Sequence, residues 1–289
     1  MLKKRITACL ALRDGIVVQS IGFRRYLPVG HLPVALEFLS RWGIDEIAVL
    51  DISARAQKRG PDFTLLETAA RKCFTPLAIG GGIRGIEDMR RLNNLGAEKA
   101  VIQTLALEQP HIVREAADIF GSQFVVVSID AKRVGSEYRA YARSGTIDTG
   151  HSPTALGKRA EELGAGEILL NSIDRDGAKQ GFDLRLIDAV ARAVTIPVVA
   201  LGGAGRPEHF RAALAKTEAS GIGAGNFFHF TEHSPITLKA FLKAKRVPVR
   251  QGTYARYDGA GFDKQGRLAK RSERSLEKLR FMYLPDEII

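Results

Sequence analysis

Three aspartates stand where short apolar runs of this sequence end: Asp51 closes IAVLD, Asp130 closes FVVVSID, and Asp176 follows EILLNSI within a few residues. A carboxylate at the end of a buried run can exchange protons with a bound molecule or orient it; the same residue type also serves as a helix cap or loop anchor. Asp130 follows its run without a gap and is the leading acid–base candidate. Two glycine turns, IGGGI with Gly81 and Gly82 and LGGAG with Gly202 and Gly203, come just before helical patterns. Glycine there lets backbone N–H groups approach an anion unobstructed. With Thr104 and the Ala224-Gly225 turn beside them, the pair predicts a ligand carrying two phosphates, although each turn alone is as readily an ordinary strand-to-helix connection. Asn171, Asp176 and Gly177 join Asp51 in the predicted binding set. Arg5, Glu46, Lys99 and Glu167 each immediately precede an apolar run, so they belong to the opposite end of the elements. Two cations and two anions can pair there in a planar cluster, which by residue type alone is a stabilising salt bridge. His31, His111, His151, His209, His229 and His233 show no spacing with carboxylates that suggests a metal site, and no cofactor is expected.

The elements that must position these groups follow from the apolar pattern. Strands are expected over residues 6–12, 47–51, 77–79, 100–102, 124–129, 168–172, 198–201 and 221–224. Each is followed by a helical pattern, such as Val34, Leu36, Phe38, Leu39 or Leu184, Ile187, Val190, Ala191, with starters at Ser152-Pro153 and Arg206-Pro207. Eight alternations predict a single (β/α)8 barrel; a doubly wound open sheet is the rival. An internal repeat at an offset of 121 residues pairs Gly43 with Gly164, Glu46 with Glu167, Gly60 with Gly181, Asp62 with Asp183, and Gly81-Gly82 with Gly202-Gly203. Two (β/α)4 halves, each leaving sheet edges that the other can cover, favour closure. The stretch KRVGSEYRAYARSGTIDTG breaks the rhythm and is expected to form a hairpin over the strands' carboxyl ends. The barrel is expected over residues 1–246 and a basic extension over 247–289, with a helical pattern at Leu276, Leu279, Phe281 and Met282; the extension is expected to be a peripheral clamp or a disordered segment rather than a catalytic element.

With 289 residues, 45% hydrophobic and 26% charged, the chain can bury a full-sized core. No run of eighteen apolar residues occurs and the start does not suit a signal peptide, so a cytoplasmic protein without membrane contact is expected. Cys9 and Cys73 give no disulfide framework and are expected to be buried thiols. A net charge of +11 suits an anionic partner. No RNA-binding signature with interleaved aromatics appears, so a phosphorylated or sugar small molecule is expected rather than nucleic acid.

The phrases IDAKRV, GAGEILLNSIDRDGAKQGFD, GGAG, IGGGI and FGSQ, with LKKRI and CL at the start, resemble the cyclase subunit of imidazole glycerol phosphate synthase from residue 1 to about 250. The resemblance implies a lyase barrel of histidine biosynthesis that docks a glutaminase on its bottom face. Ammonia would pass through its centre to cleave and cyclise a bisphosphate ribulosyl intermediate at the top. Residue by residue, it implies that Asp130 is the second catalytic aspartate, that Gly82 and Thr104 serve one phosphate, and that Gly202, Gly203 and Ala224 serve the other. It makes Arg5, Glu46, Lys99 and Glu167 the gate for ammonia. Departures concentrate at the top: Ala11 stands where the family has its first catalytic aspartate, and Gln19 where it has a lysine. Gln103, Asn171 and Asn226 replace its usual Asn, Thr and Ser. An intact gate under an altered top resembles paralogues that, beside a glutaminase and a sugar amidotransferase, serve acetamidino-sugar synthesis for lipopolysaccharide or other surface glycans. The expected function is ammonia supply for such an amidination. The alternatives are a working histidine-pathway cyclase and a scaffold without chemistry.

Overall fold

The computed structural model describes residues 3–231, 233–252, 254–255, 257, 259–269 and 272. Eight parallel strands close into a ring: β1 (Arg5–Arg13), β4 (Glu46–Asp51), β5 (Leu77–Gly80), β6 (Lys99–Ile102), β7 (Val125–Val134), β10 (Glu167–Ser172), β11 (Val198–Leu201) and β12 (Gly221–Ala224). Pairing runs around this order; β12 returns to β1 through Arg5 opposite Gly221, and β7 meets β10 through Asp130 opposite Asn171. The protein is a TIM barrel, and closure leaves no unpaired edge within the ring.

The helices α1 (Leu32–Arg41), α2 (Phe63–Ala70), α3 (Ile86–Asn94), α4 (Thr104–Glu108), α5 (His111–Phe120), α6 (Pro153–Glu162), α7 (Leu184–Ala191), α8 (Pro207–Lys216) and α9 (Ser234–Ala244) lie around it. Their starts are local chemistry. Asp62 and Asp183, one repeat apart, accept the N–H of Leu65 and Leu186, and Pro153 and Pro207 open α6 and α8 as expected. In α1 the predicted apolar stripe is corrected: Leu36 and Leu39 are buried, but Val34 and Phe38 are 53% and 40% exposed. The true stripe is Leu32, Leu36, Leu39, at the four- and three-residue steps that one helix face requires.

Alternation along each strand makes two cores. Ile6, Ala8, Leu10 and Leu12 belong to the large cluster that includes the helices' buried side chains. Ala48, Ala78, Val101, Val126, Leu169, Val199 and Leu201, with Cys9 and Leu50 against them, form a second cluster inside the ring. The second cluster is a column of mostly small apolar groups between the two ends of the barrel.

Two hairpins rise at the carboxyl end. β7 continues into β8 (Glu137–Ala142) and β9 (Ile147–Asp148), as the inserted stretch predicts. The other, β2 (Ile16–Ile21) with β3 (Arg25–His31), is not anticipated by the sequence reading. Cys9 and Cys73 are free. The predicted helical pattern at Leu276, Leu279, Phe281 and Met282 lies outside the described residues.

Candidate functional site

At the carboxyl end, Asp130 on β7 is 9% exposed and its Oδ2 accepts Nε2–H of Gln103 at 2.6 Å. Burial pushes its carboxyl up to about 7, with the nearby Asp176 adding to the rise and the Gln103 hydrogen bond opposing it. Asp176, raised by burial, is held by the Ser20 hydroxyl at 2.6 Å and the N–H of Phe23 at 3.2 Å, both of which oppose the rise. Two carboxyls whose pKa burial raises, at one mouth, are a pattern of acid–base sites. Cys9 lies within reach of both charges; burial first, then Asp176 and Asp130, pushes its thiol up to about 12. It stays protonated and is no nucleophile at neutral pH.

Ala11 pairs with Leu50 and Val18, so a methyl group occupies that place in the ring. Asp14, the nearest carboxylate in sequence, lies in the β1–β2 turn with φ 53° and a side chain 59% exposed, engaged by Gln57 Nε2 at 2.6 Å. It does not reach the position that Ala11 vacates. Gln19 lies in β2, which with β3 forms the hairpin held over the mouth. Asn226 donates to the carbonyl of Ser20 at 2.7 Å, and a Cβ on Gly177 would lie 2.6 Å from that same carbonyl. Asp176, Gly177 and Asn226 together clasp the hairpin.

Asp51 has both oxygens engaged in its own loop. Oδ1 accepts the N–H and hydroxyl of Ser53 at 2.9 Å and the N–H of Ala54 at 3.0 Å, while Oδ2 meets Arg59 at 2.7 Å. That loop closes on the first glycine turn. Gly81 and Gly82 have φ of 99° and 74°, and a Cβ on Gly81 would lie 2.2 Å from the Asp51 carbonyl. The second turn repeats the design with Gly202 and Gly203 at φ 92° and 105°; a Cβ on Gly203 would lie 2.2 Å from the Gly181 carbonyl. Thr104 opens α4 at the carboxyl end of β6, and Ala224 ends β12 with Gly225 following it. The N–H of Arg84 donates to Asp88 at 3.0 Å, and 121 residues on, that of Gly205 donates to His209 Nδ1 at 3.2 Å. Burial, then Arg206, lowers the His209 pKa. Asn171 Oδ1 is buried without a partner, and it would lie 2.9 Å from a Cβ on Gly202. An orphaned buried acceptor at a mouth is suited to a ligand's N–H or O–H donor.

The opposite end of the ring is closed by charge. Arg5 reaches Glu46 at 3.0 Å and also bonds Glu167; Lys99 reaches Glu167 at 3.0 Å and also bonds Glu46. Burial pulls the Arg5 pKa down, but Glu46 and Glu167 more than reverse that and leave it raised. All four predicted floor residues therefore meet in one cluster.

His229, which its spacing does not single out, has its Nε2 buried without a partner, and burial pulls its pKa down to about 4. Nothing in the spacing of NFFHF signals this. Among the described residues no group of three or more His, Cys, Asp or Glu is arranged to hold a metal ion, and no helix is long and apolar enough to cross a membrane.

Comparison with known proteins matches residues 5–234 to the family described as "Histidine biosynthesis protein". A Hydrogenobaculum protein named imidazole glycerol phosphate synthase subunit HisF is 44% identical over 251 residues, spanning 86% of this chain and 100% of the relative. A Vibrio vulnificus protein, provisionally named imidazole glycerol phosphate synthase subunit hisF2, is 39% identical over 268 residues, spanning 92% of this chain and 98% of the relative.

Proposed function

The chain belongs to the histidine biosynthesis protein family, and from that premise we propose that it is the barrel subunit of a glutamine-dependent complex, supplying ammonia rather than making imidazole. A glutaminase of the kind that partners such synthase subunits docks on the floor formed by Arg5, Glu46, Lys99 and Glu167. Ammonia released there enters through the charge cluster and moves along the column of Ala48, Ala78, Val101, Val126, Leu169 and Val199. A column lined mainly by apolar groups passes neutral ammonia more readily than ammonium, because an ion loses its hydration there without compensation.

The observation that carries the choice of chemistry is Ala11. The mouth holds Asp130, which can take or give a proton near neutrality, but no carboxylate at position 11 to work with it. A cyclisation in which a carboxylate at position 11 works with Asp130 lacks that partner, and Asp176 is tied to Ser20 and Phe23 of the hairpin, whereas delivery of ammonia needs no such pair. The acceptor is a phosphorylated or sugar molecule, and amidination of a surface-polysaccharide sugar with a sugar amidotransferase fits an intact floor under a reduced mouth. A second reading, the histidine-pathway cyclase itself, is favoured by Asp130, whose pKa near 7 suits general acid–base work.

Ammonium salt bypasses the glutaminase and isolates the mouth. Given excess ammonium and the ribulosyl bisphosphate intermediate, the purified protein is expected to turn over about 10² or more times slower than a relative with both aspartates, the usual deficit for one missing acid–base group. Ala11→Asp should recover part of that rate. Turnover of the unaltered protein on a par with the two-aspartate relative would overturn ammonia supply as the function and establish the cyclase.

A further inference from the structure

Residues 261–269 of the extension form a small hairpin. Phe262 bridges Leu268; the N–H of Asp263 donates to the carbonyl of Arg267 at 2.9 Å, and that of Ala269 to Gly261 at 2.8 Å. Asp263 Oδ1 gathers the N–H groups of Gln265 and Arg267 at 2.8 and 2.9 Å, which fixes the tip. Gly266 at the tip has φ 80°, and a Cβ there would lie 2.8 Å from both Pro207 Cβ and Phe241 Cζ. The tip is therefore seated between the first turn of α8 and the side of α9. Phe262 meets the Phe241 ring edge-on at 5.5 Å, and the carbonyl of Gln265 accepts the N–H of Glu208 at 3.3 Å.

α8 is the helix that continues from the second glycine turn, and first-turn N–H groups have no partner inside their own helix. Just ahead of the two helices the halves are alike, with Asp88 accepting the N–H of Arg84 and His209 that of Gly205, each donor one residue before the N-cap. The carbonyl brought to Glu208 from outside has no counterpart on α3 among the hydrogen bonds of the described residues.

We propose that the 261–269 hairpin is a brace for the second anion turn: by holding Pro207 and Glu208 it fixes the direction in which Gly203 and Ala204 present their N–H groups to a phosphate. The proposal rests on the reading of the glycine turns as anion cradles. Gly203 is bounded by the backbone of Gly181 and the Cβ of Arg175 and leads into α8, so a small tilt of α8 changes its N–H direction, and hydrogen-bond strength falls steeply with misalignment.

Inorganic phosphate titrated into the full-length 15N-labelled protein, followed at the amides of Gly82 and Gly203 separately, tests it. Phe262→Ala removes the ring contact, and Gly266→Val forces the tip out of its seat; the first keeps the test alive if the second does not fold. The expected result is a phosphate affinity about five-fold weaker at Gly203, the order of one hydrogen bond lost. Affinity at Gly82 should be unchanged, with faster hydrogen exchange at Glu208. A purely structural clamp would lower the melting temperature and leave the ratio of the two affinities intact; that outcome overturns the brace alone. No response to phosphate at either turn in the unaltered protein overturns the cradle reading and the brace with it.

Discussion

Asp130 is 9% exposed, and burial pushes its carboxyl up to about 7, whereas an unfolded aspartate titrates near ~4. Between those values the folded chain keeps a proton that the unfolded chain has released, so this group makes stability fall as pH rises from about 4 to about 7 and level off above. The penalty above pH 7 amounts to about 4 kcal/mol at most. Asp130→Asn carries no charge at any pH and can still accept from Gln103. Thermal melts should show it several degrees more stable than the unaltered protein at pH 8, with the gap closing towards pH 4; a gap independent of pH would refute the raised carboxyl. The residue itself was legible because it ends an apolar run. Its partner was not: Gln103 lies 27 residues away, just past the end of the neighbouring strand β6, and only the stagger of the ring makes the two meet. Asp51 shows the converse, a residue with the right type and place whose loop, built around Ser53, Ala54 and Arg59, occupies both its oxygens.

At the scale of elements, the glycine turns rest on close backbone approach more than on φ alone. Gly203→Ala would place a methyl 2.2 Å from the Gly181 carbonyl at φ 105°, forcing the 175–181 loop away from the turn. Gly135→Ala, at φ 63° with open space around it, meets only the left-handed backbone cost of about 1–2 kcal/mol. Urea unfolding should rank Gly203→Ala as the costlier by a further 2 kcal/mol or so, the size of a core overpacking defect; equal losses would mean that the loop yields freely. These turns were visible in the sequence because the 121-residue repeat places them at matching points. The β2–β3 hairpin was not. IVVQSI reads as readily as the continuation of a buried run, and the register shift between Val17 and Val18 and the proline at 28 hide the two-residue alternation that marks paired strands. Its closing contacts come from Asp176 and Asn226, remote parts of the chain that no local pattern connects to it.

At the scale of the whole molecule, the floor cluster couples the barrel to whatever docks beneath it. Lys99→Glu would set three carboxylates against Arg5 alone, and like charges forced together at an interface cost several kcal/mol. Ammonia transfer driven by glutamine in the reconstituted complex should fall at least about ten-fold. Ammonium-driven activity at the mouth, at the far end of the barrel, should persist; unchanged glutamine-driven transfer would remove the floor from the proposed route. The ring was legible as a whole because eight alternations and a twofold repeat leave few ways to cover every sheet edge. The seam was not, for it joins the first strand of the ring to the last. Arg5 lies opposite Gly221, and Lys239 Nζ reaches back to Asp45 at 2.5 Å, whose other oxygen accepts the N–H of Ile6 at 2.8 Å. This seam sets a clock during synthesis. A ribosome adding about 5–20 residues per second makes the first strand wait roughly 10 to 40 seconds for its neighbour. Through that interval the β1 backbone groups that later pair with β12 have no partner, while β4 can already pair its other edge. The nascent chain is therefore most exposed to mispairing, and most dependent on chaperones, just before its last strand emerges.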